Sequence, residues 1–212
     1  MKEPVKIKLE EAINLINTKK SSLNEEIIDE LRAFIDISDI NIILFSDVSN
    51  FEDLAIGNDV CIVNGDLTVN NLIEDCEGVD ASLLIVLGNV SCKNLITLSS
   101  IFITGDLIVE NVILGDSLCD YTLNVEGNIK TNTILDYGHS IISNKTITSN
   151  NIFSFNSIED ENGNLEETMT SNDLLDEISD VEYYEGDEDF EKTENLSKTI
   201  VYIKNGGTKF RN

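Results

Sequence analysis

Apolar residues in the middle of the chain alternate with polar ones in short bursts, each opened by a glycine or a polar corner. Four stretches align without gaps: Gly65-Asp-Leu-Thr-Val-Asn-Asn-Leu-Ile73, Gly88-Asn-Val-Ser-Cys-Lys-Asn-Leu-Ile96, Gly105-Asp-Leu-Ile-Val-Glu-Asn-Val-Ile113 and Gly127-Asn-Ile-Lys-Thr-Asn-Thr-Ile-Leu135. A degraded copy runs from Lys145 to Phe153, and a weaker one with an extra residue from Ser46 to Ala55. The second residue after each glycine is aliphatic: Leu67, Val90, Leu107, Ile129 and, in the degraded copy, Ile147. The fourth is Val69, Cys92, Val109, Thr131 and Ser149, and the residue between is mostly polar. A period of two is that of a strand with one buried face.

Upstream columns read Cys61, Leu84, Ile101, Leu123, Ile141 and Val63, Val86, Ile103, Val125, Ser143. Two more follow the glycines, at Leu72, Leu95, Val112, Ile134, Ile152 and at Ile73, Ile96, Ile113, Leu135, Phe153. Copies stacked at strand spacing build continuous aliphatic columns, so the pattern predicts a mainly β fold, a parallel β-helix (β-solenoid) of five to six coils. The column Asn71, Asn94, Asn111, Thr133, Asn151 predicts an amide ladder at a corner, and the glycines predict corners with positive φ. Long and short copies alternate. The extra residues fall at Glu74–Leu83 and Leu114–Thr122, so alternate coils bulge on one side.

The pattern changes at the ends. Leu9, Ala12, Ile13 and Ile16, then Ile27, Ile28, Leu31, Phe34 and Ile35, have helical spacing, with Ser22 and Glu25 placed as a capping box. The pair is expected to form a helical cap on the N-terminal end of the coils, because an open solenoid end needs covering. The resulting organisation is a cap over 1–40, a solenoid over 41–157, an acidic loop or partly disordered segment over 158–195, and a strand or hairpin over 196–212. The last rests on the β-branched run Thr199-Ile-Val-Tyr-Ile203 and the Asn-Gly-Gly after it.

Charge narrows the function. The formal net charge is −26. Such a field repels nucleic acid and anionic membrane surfaces and favours a basic protein partner. Residues 158–195 hold sixteen acidic side chains and one lysine, Lys192. Aromatic residues are common interface anchors, which makes the strip Glu182, Tyr183, Tyr184, Glu185, Asp187, Glu188, Asp189 and Phe190 a candidate partner-binding segment. Glu74, Asp75, Asp116 and Asp120 in the two bulges join it.

Catalytic chemistry has few candidates. The lone histidine, His139, follows Asp136 at a short corner, where a surface position is expected and Asp136 is placed to orient it. Asp66 and Asp106 alternate with Asn89 and Asn128, which suits turn hydrogen bonding better than an acid/base pair. The four cysteines at 61, 76, 92 and 119 are too scattered for zinc. The reading is therefore a non-enzyme with no catalytic residue, metal or cofactor. The N-terminus has no signal-peptide pattern and no apolar run has spanning length, so a cytoplasmic location is expected.

The stretches Asn64-Gly-Asp-Leu-Thr-Val69, Leu84-Ile-Val-Leu-Gly-Asn89, Thr104-Gly-Asp-Leu-Ile-Val109 and Leu135-Asp-Tyr-Gly-His139 resemble bacterial β-solenoid proteins with G-D-L-x-V repeats found near polymorphic toxin loci. The resemblance covers about 80 residues. It implies an immunity protein that binds and neutralises a toxin. The repeats are also distantly similar to bactofilins, which implies self-assembly through the solenoid ends. A carbohydrate-active β-helix enzyme is the third reading.

Overall fold

The computed structural model describes residues 3–37, 40–46, 49–75, 82–117, 121–154, 158–165 and 188–207. The predicted coils are present, about six of them. One sheet stacks β2 (Ile42–Ser46), β5 (Val60–Asn64), β7 (Leu83–Val86), β9 (Ser100–Ile103), β11 (Thr122–Val125), β14 (Ser140–Ser143) and β17 (Ile158–Asp160), all in parallel. The other stacks β3 (Ser49–Phe51), β6 (Leu67–Glu74), β8 (Val90–Thr97), β10 (Leu107–Gly115), β12 (Ile129–Lys130) and β15 (Ile147–Thr148). β4 (Leu54–Ala55), β13 (Thr133–Asp136) and β16 (Asn151–Ser154) continue its rear edge.

The register corrects one pair of columns. Between Val69 and Leu72, and between Val109 and Val112, the strands β6 and β10 carry one more residue than β8. That bulge shifts the rear columns by one in the two longer copies. The inward row is Ile73, Leu95, Ile113, Ile134 and Ile152; the outward row is Glu74, Ile96, Leu114, Leu135 and Phe153. The bulges bend the second sheet, so each coil presents three faces. The other four predicted columns stack as read, with the aliphatic members buried inside.

The helices α1 (Leu9–Asn17) and α2 (Asn24–Ile37) form where expected but do not cap the end. Their apolar stripes lie against the outer face of the first sheet, on Ile42, Val60, Ile62, Leu83, Ile85, Leu87 and Phe102. The reason is legible in those strands: Val60-Cys-Ile-Val63 and Leu83-Leu-Ile-Val-Leu87 are apolar on both faces, and a parallel sheet of that kind must be covered on both. Where the outer face turns polar, so do the contacts. Glu30 accepts from the Ser100 hydroxyl at 2.8 Å, and Glu26 from Asn124 at 3.0 Å. Ser22 does not cap α2; its main-chain N–H and its hydroxyl both donate to Glu126, at 2.8 and 3.0 Å.

The C-terminal strand is also corrected. Residues Glu188–Lys204 form a helix, α3. Leu196, Ile200 and Ile203 fall on one side and pack over the rear face on Leu72, Ile96, Val112, Leu114, Leu135, Tyr137 and Phe153. Burial along that stripe overrides the β propensity of Thr199-Ile-Val, and Val201, off the stripe, is 56% exposed. Lys204 reaches Glu74 at 2.5 Å. The third face, with Thr68, Ser91, Ile108, Lys130 and Thr148 outward, carries neither helix pair nor α3.

The ends of the first sheet are closed by reversed strands. β1 (Val5–Ile7) pairs antiparallel with β2, and β18 (Gly163–Asn164) antiparallel with β17.

Candidate functional site: two polar corners

The corner bearing the glycines is a hydrogen-bonded ladder. Asp66 Oδ1 accepts from the main-chain N–H and the amide of Asn89, at 2.7 and 3.1 Å. Asn89 Oδ1 accepts from the Asp106 N–H at 2.9 Å, Asp106 Oδ1 from the Asn128 N–H and amide at 2.8 and 3.0 Å, and Asn128 Oδ1 from the Thr146 hydroxyl at 2.9 Å. The alternation of Asp and Asn thus stitches each coil to the next. The Asn128 N–H, before any other group, holds the Asp106 carboxyl below its ordinary range. The glycines serve close stacking rather than positive φ. A β-carbon on Gly88 would meet the Gly65 carbonyl carbon and oxygen at 2.6 Å, and of the four only Gly65 has positive φ, 143°. The amide ladder is partial: Asn111 donates to Asn94 at 3.3 Å, whereas Asn71 donates to Asp53 and Asn151 to Thr133.

The corner after the rear strands is buried. Register aligns Thr97, Gly115, Asp136 and Ser154 there, with Asp75 directly after Glu74 at its head. Asp75 accepts from the Thr97 hydroxyl at 2.7 Å and the Leu98 N–H at 2.6 Å. Burial nevertheless pushes its pKa up to about 6. Three coils later, Asp136 accepts from the Gly138 N–H at 2.8 Å, the His139 N–H at 2.6 Å and the Ser154 hydroxyl at 2.5 Å. Asp136 therefore holds the backbone of the His139 turn, not its imidazole. His139 is not at the surface: Asp136, Tyr137 and His139 are all fully buried. Burial lowers the imidazole pKa to about 4.

No protein-family model matches the chain, and neither a curated protein nor a solved structure matches it.

The sequence-predicted partner residues scatter. Glu74 is half-buried and paired with Lys204. Asp75 points into the molecule, where its hydrogen bonds give it a structural task in place of a partner contact. Asp116 is half-buried at the end of β10, its N–H on the Thr97 carbonyl. Glu188, Asp189 and Phe190 lie in the first turn of α3. Glu182, Tyr183, Tyr184, Glu185, Asp187 and Asp120 lie outside the described residues, as do Cys76 and Cys119. Cys61 and Cys92 face inward with thiols pushed up to about 12 by burial, which leaves them unreactive. Among the described residues no three His, Cys, Asp or Glu side chains cluster as a metal site, and no helix is long and apolar enough to cross a membrane.

Proposed function

We propose that the protein is a cytoplasmic, non-catalytic binding protein for a basic macromolecule, most specifically an immunity-type inhibitor that neutralises a basic toxin such as a nuclease. The net charge of −26 carries this reading. The carboxylates that sequence offered for chemistry have structural work, Asp66 and Asp106 in the ladder and Asp136 in a turn. Meanwhile Glu10, Glu11, Glu25, Glu26, Asp29, Glu52, Asp53 and Glu110 remain exposed to steer a cationic partner.

The test is affinity capture from the native host at low salt, followed by a binding titration with the recovered protein. A basic protein is expected, with affinity falling at least tenfold between about 0.05 and 0.5 M salt, and with its toxic activity blocked at equal stoichiometry. Binding indifferent to salt, or capture of no basic protein, overturns the reading. Self-assembly is the second reading. Its support is that β3 and β4 at one end of the second sheet, and β15 and β16 at the other, have no further strand beside them among the described residues.

A further inference from the structure

The chain holds one histidine, and its imidazole is fully buried. The ring lies on Gly115, where a β-carbon would come within 2.7 Å of His139 Cβ and 3.0 Å of Cγ. Glycine is needed at 115 to leave room for it. Neither Nδ1 nor Nε2 makes a well-formed hydrogen bond among the described residues, and the Thr122 main chain offers the ring only a weak one. Buried polar atoms of native proteins are seldom left so, and an unpaired charge there is far more costly than a neutral ring.

The surroundings offer an imidazolium little. Asp136, on the same turn, already accepts from three donors. Other titratable or charged groups on the neighbouring elements include Tyr137 on the turn, Asp116 beside Gly115, Glu110 farther back on β10, Tyr121 ahead of β11, and Lys198, Tyr202 and Lys204 on α3, whose Ile203 shares a cluster with Tyr137. The Thr122 main chain favours the protonated ring, but less than burial opposes it. The turn is held to the neighbouring coils by the Tyr137 N–H on the Gly115 carbonyl at 2.8 Å, the Ser140 N–H on the Tyr121 carbonyl at 3.2 Å, the Thr122 hydroxyl on the Ser140 carbonyl at 3.3 Å and, at its tip, the longer contact of the Ser117 hydroxyl with the Gly138 carbonyl at 3.5 Å.

We propose that His139 is a proton-operated latch: neutral, it seats the turn 136–140 over Gly115, and on protonation in mild acid the ring must reach water and the turn lifts. This stands independently of what the protein binds. The direction follows from linkage. Because the folded protein disfavours the imidazolium, the closed turn is fully favoured above the ordinary histidine pKa of 6.5 and loses that advantage as pH falls towards 4. Opening is therefore expected to rise about 30-fold at pH 5, the ratio of protonated to neutral imidazole in the open state.

One histidine means one imidazole Cε1–H resonance, so its titration in the full chain is unambiguous. The resonance is expected to keep its neutral position below pH 6. Amide exchange, corrected for intrinsic rate, is expected to lose about 30-fold protection over 136–140 between pH 7.5 and 5, with Leu83–Val86 unchanged. His139→Gln is expected to abolish that response. A midpoint at or above 6.5, unchanged protection of the turn, or an equal response in folded His139→Gln overturns the proposal. The first two readouts need only the wild-type chain.

Discussion

Asp75 and His139 pull the pH dependence of stability in opposite directions. The carboxyl of Asp75 is raised to about 6 by burial, so its contribution is full below its unfolded value of 3.8 and is lost as pH rises through 6. The imidazole of His139 is lowered to about 4, so its contribution is present above 6.5 and is lost as pH falls through 4. Between about pH 4 and 6 the two slopes nearly cancel. Asp75→Asn keeps an acceptor for the Leu98 N–H and removes the buried charge. It is expected to stabilise the protein at pH 7.5 by about 1–3 kcal/mol, because a tenfold change in proton affinity is worth roughly 1.4 kcal/mol, and to lose that advantage below about pH 4. Urea unfolding at both pH values checks this; a variant less stable at pH 7.5 would mean that the hydrogen bonds of the ionised form outweigh its desolvation. Neither residue's burial was legible in the sequence. Asp75 sits beside an insertion and His139 at a glycine corner, both of which read as surface.

At the scale of elements, the two sides of each strand were unequally legible. Four inward columns follow from period-two alternation and stack as that period requires, while the rear inward row is displaced by the bulges in β6 and β10. Outward columns depend on what covers them. The outer faces carrying Leu83, Ile85 and Leu87 and carrying Ile96, Leu114 and Leu135 are covered by helices distant in sequence, which alternation along a strand does not reveal. α3 was obscured by its β-branched stretch, which only the spacing of Leu196, Ile200 and Ile203 contradicts. That spacing makes a prediction. Ile203→Ala, which empties a buried site over the rear face, is expected to cost about 2–4 kcal/mol in urea unfolding, while Val201→Ala two residues earlier is expected to stay within about 0.5 kcal/mol. Equal effects would show that α3 does not pack through this stripe.

For the molecule as a whole, the ends decide whether coils continue into a neighbour. A second chain can extend a parallel stack only if it finds a parallel edge, and the first sheet offers β1 and β18, both reversed. Pro4 and Lys6 make the β1 edge a poor template. Removing residues 1–7 uncovers β2 and is expected to shift the protein from small to larger species in sedimentation velocity. An unchanged distribution would show that β1 does not guard that end. The partner, in contrast to the fold, was legible only through charge, because a repeat fixes a shape while binding depends on particular side chains.

The order of synthesis gives the two helical coverings different histories. The helices α1 and α2 leave the ribosome before any of the parallel strands they shield, so each new coil meets its cover as it forms. The rear face has no such escort. Leu72, Ile96, Val112 and Leu114 are assembled while α3 is still untranslated, and a chain arrested within the acidic stretch would carry a greasy stripe several coils long. The dense negative charge made just before α3 would then be the nascent chain's own protection against clumping.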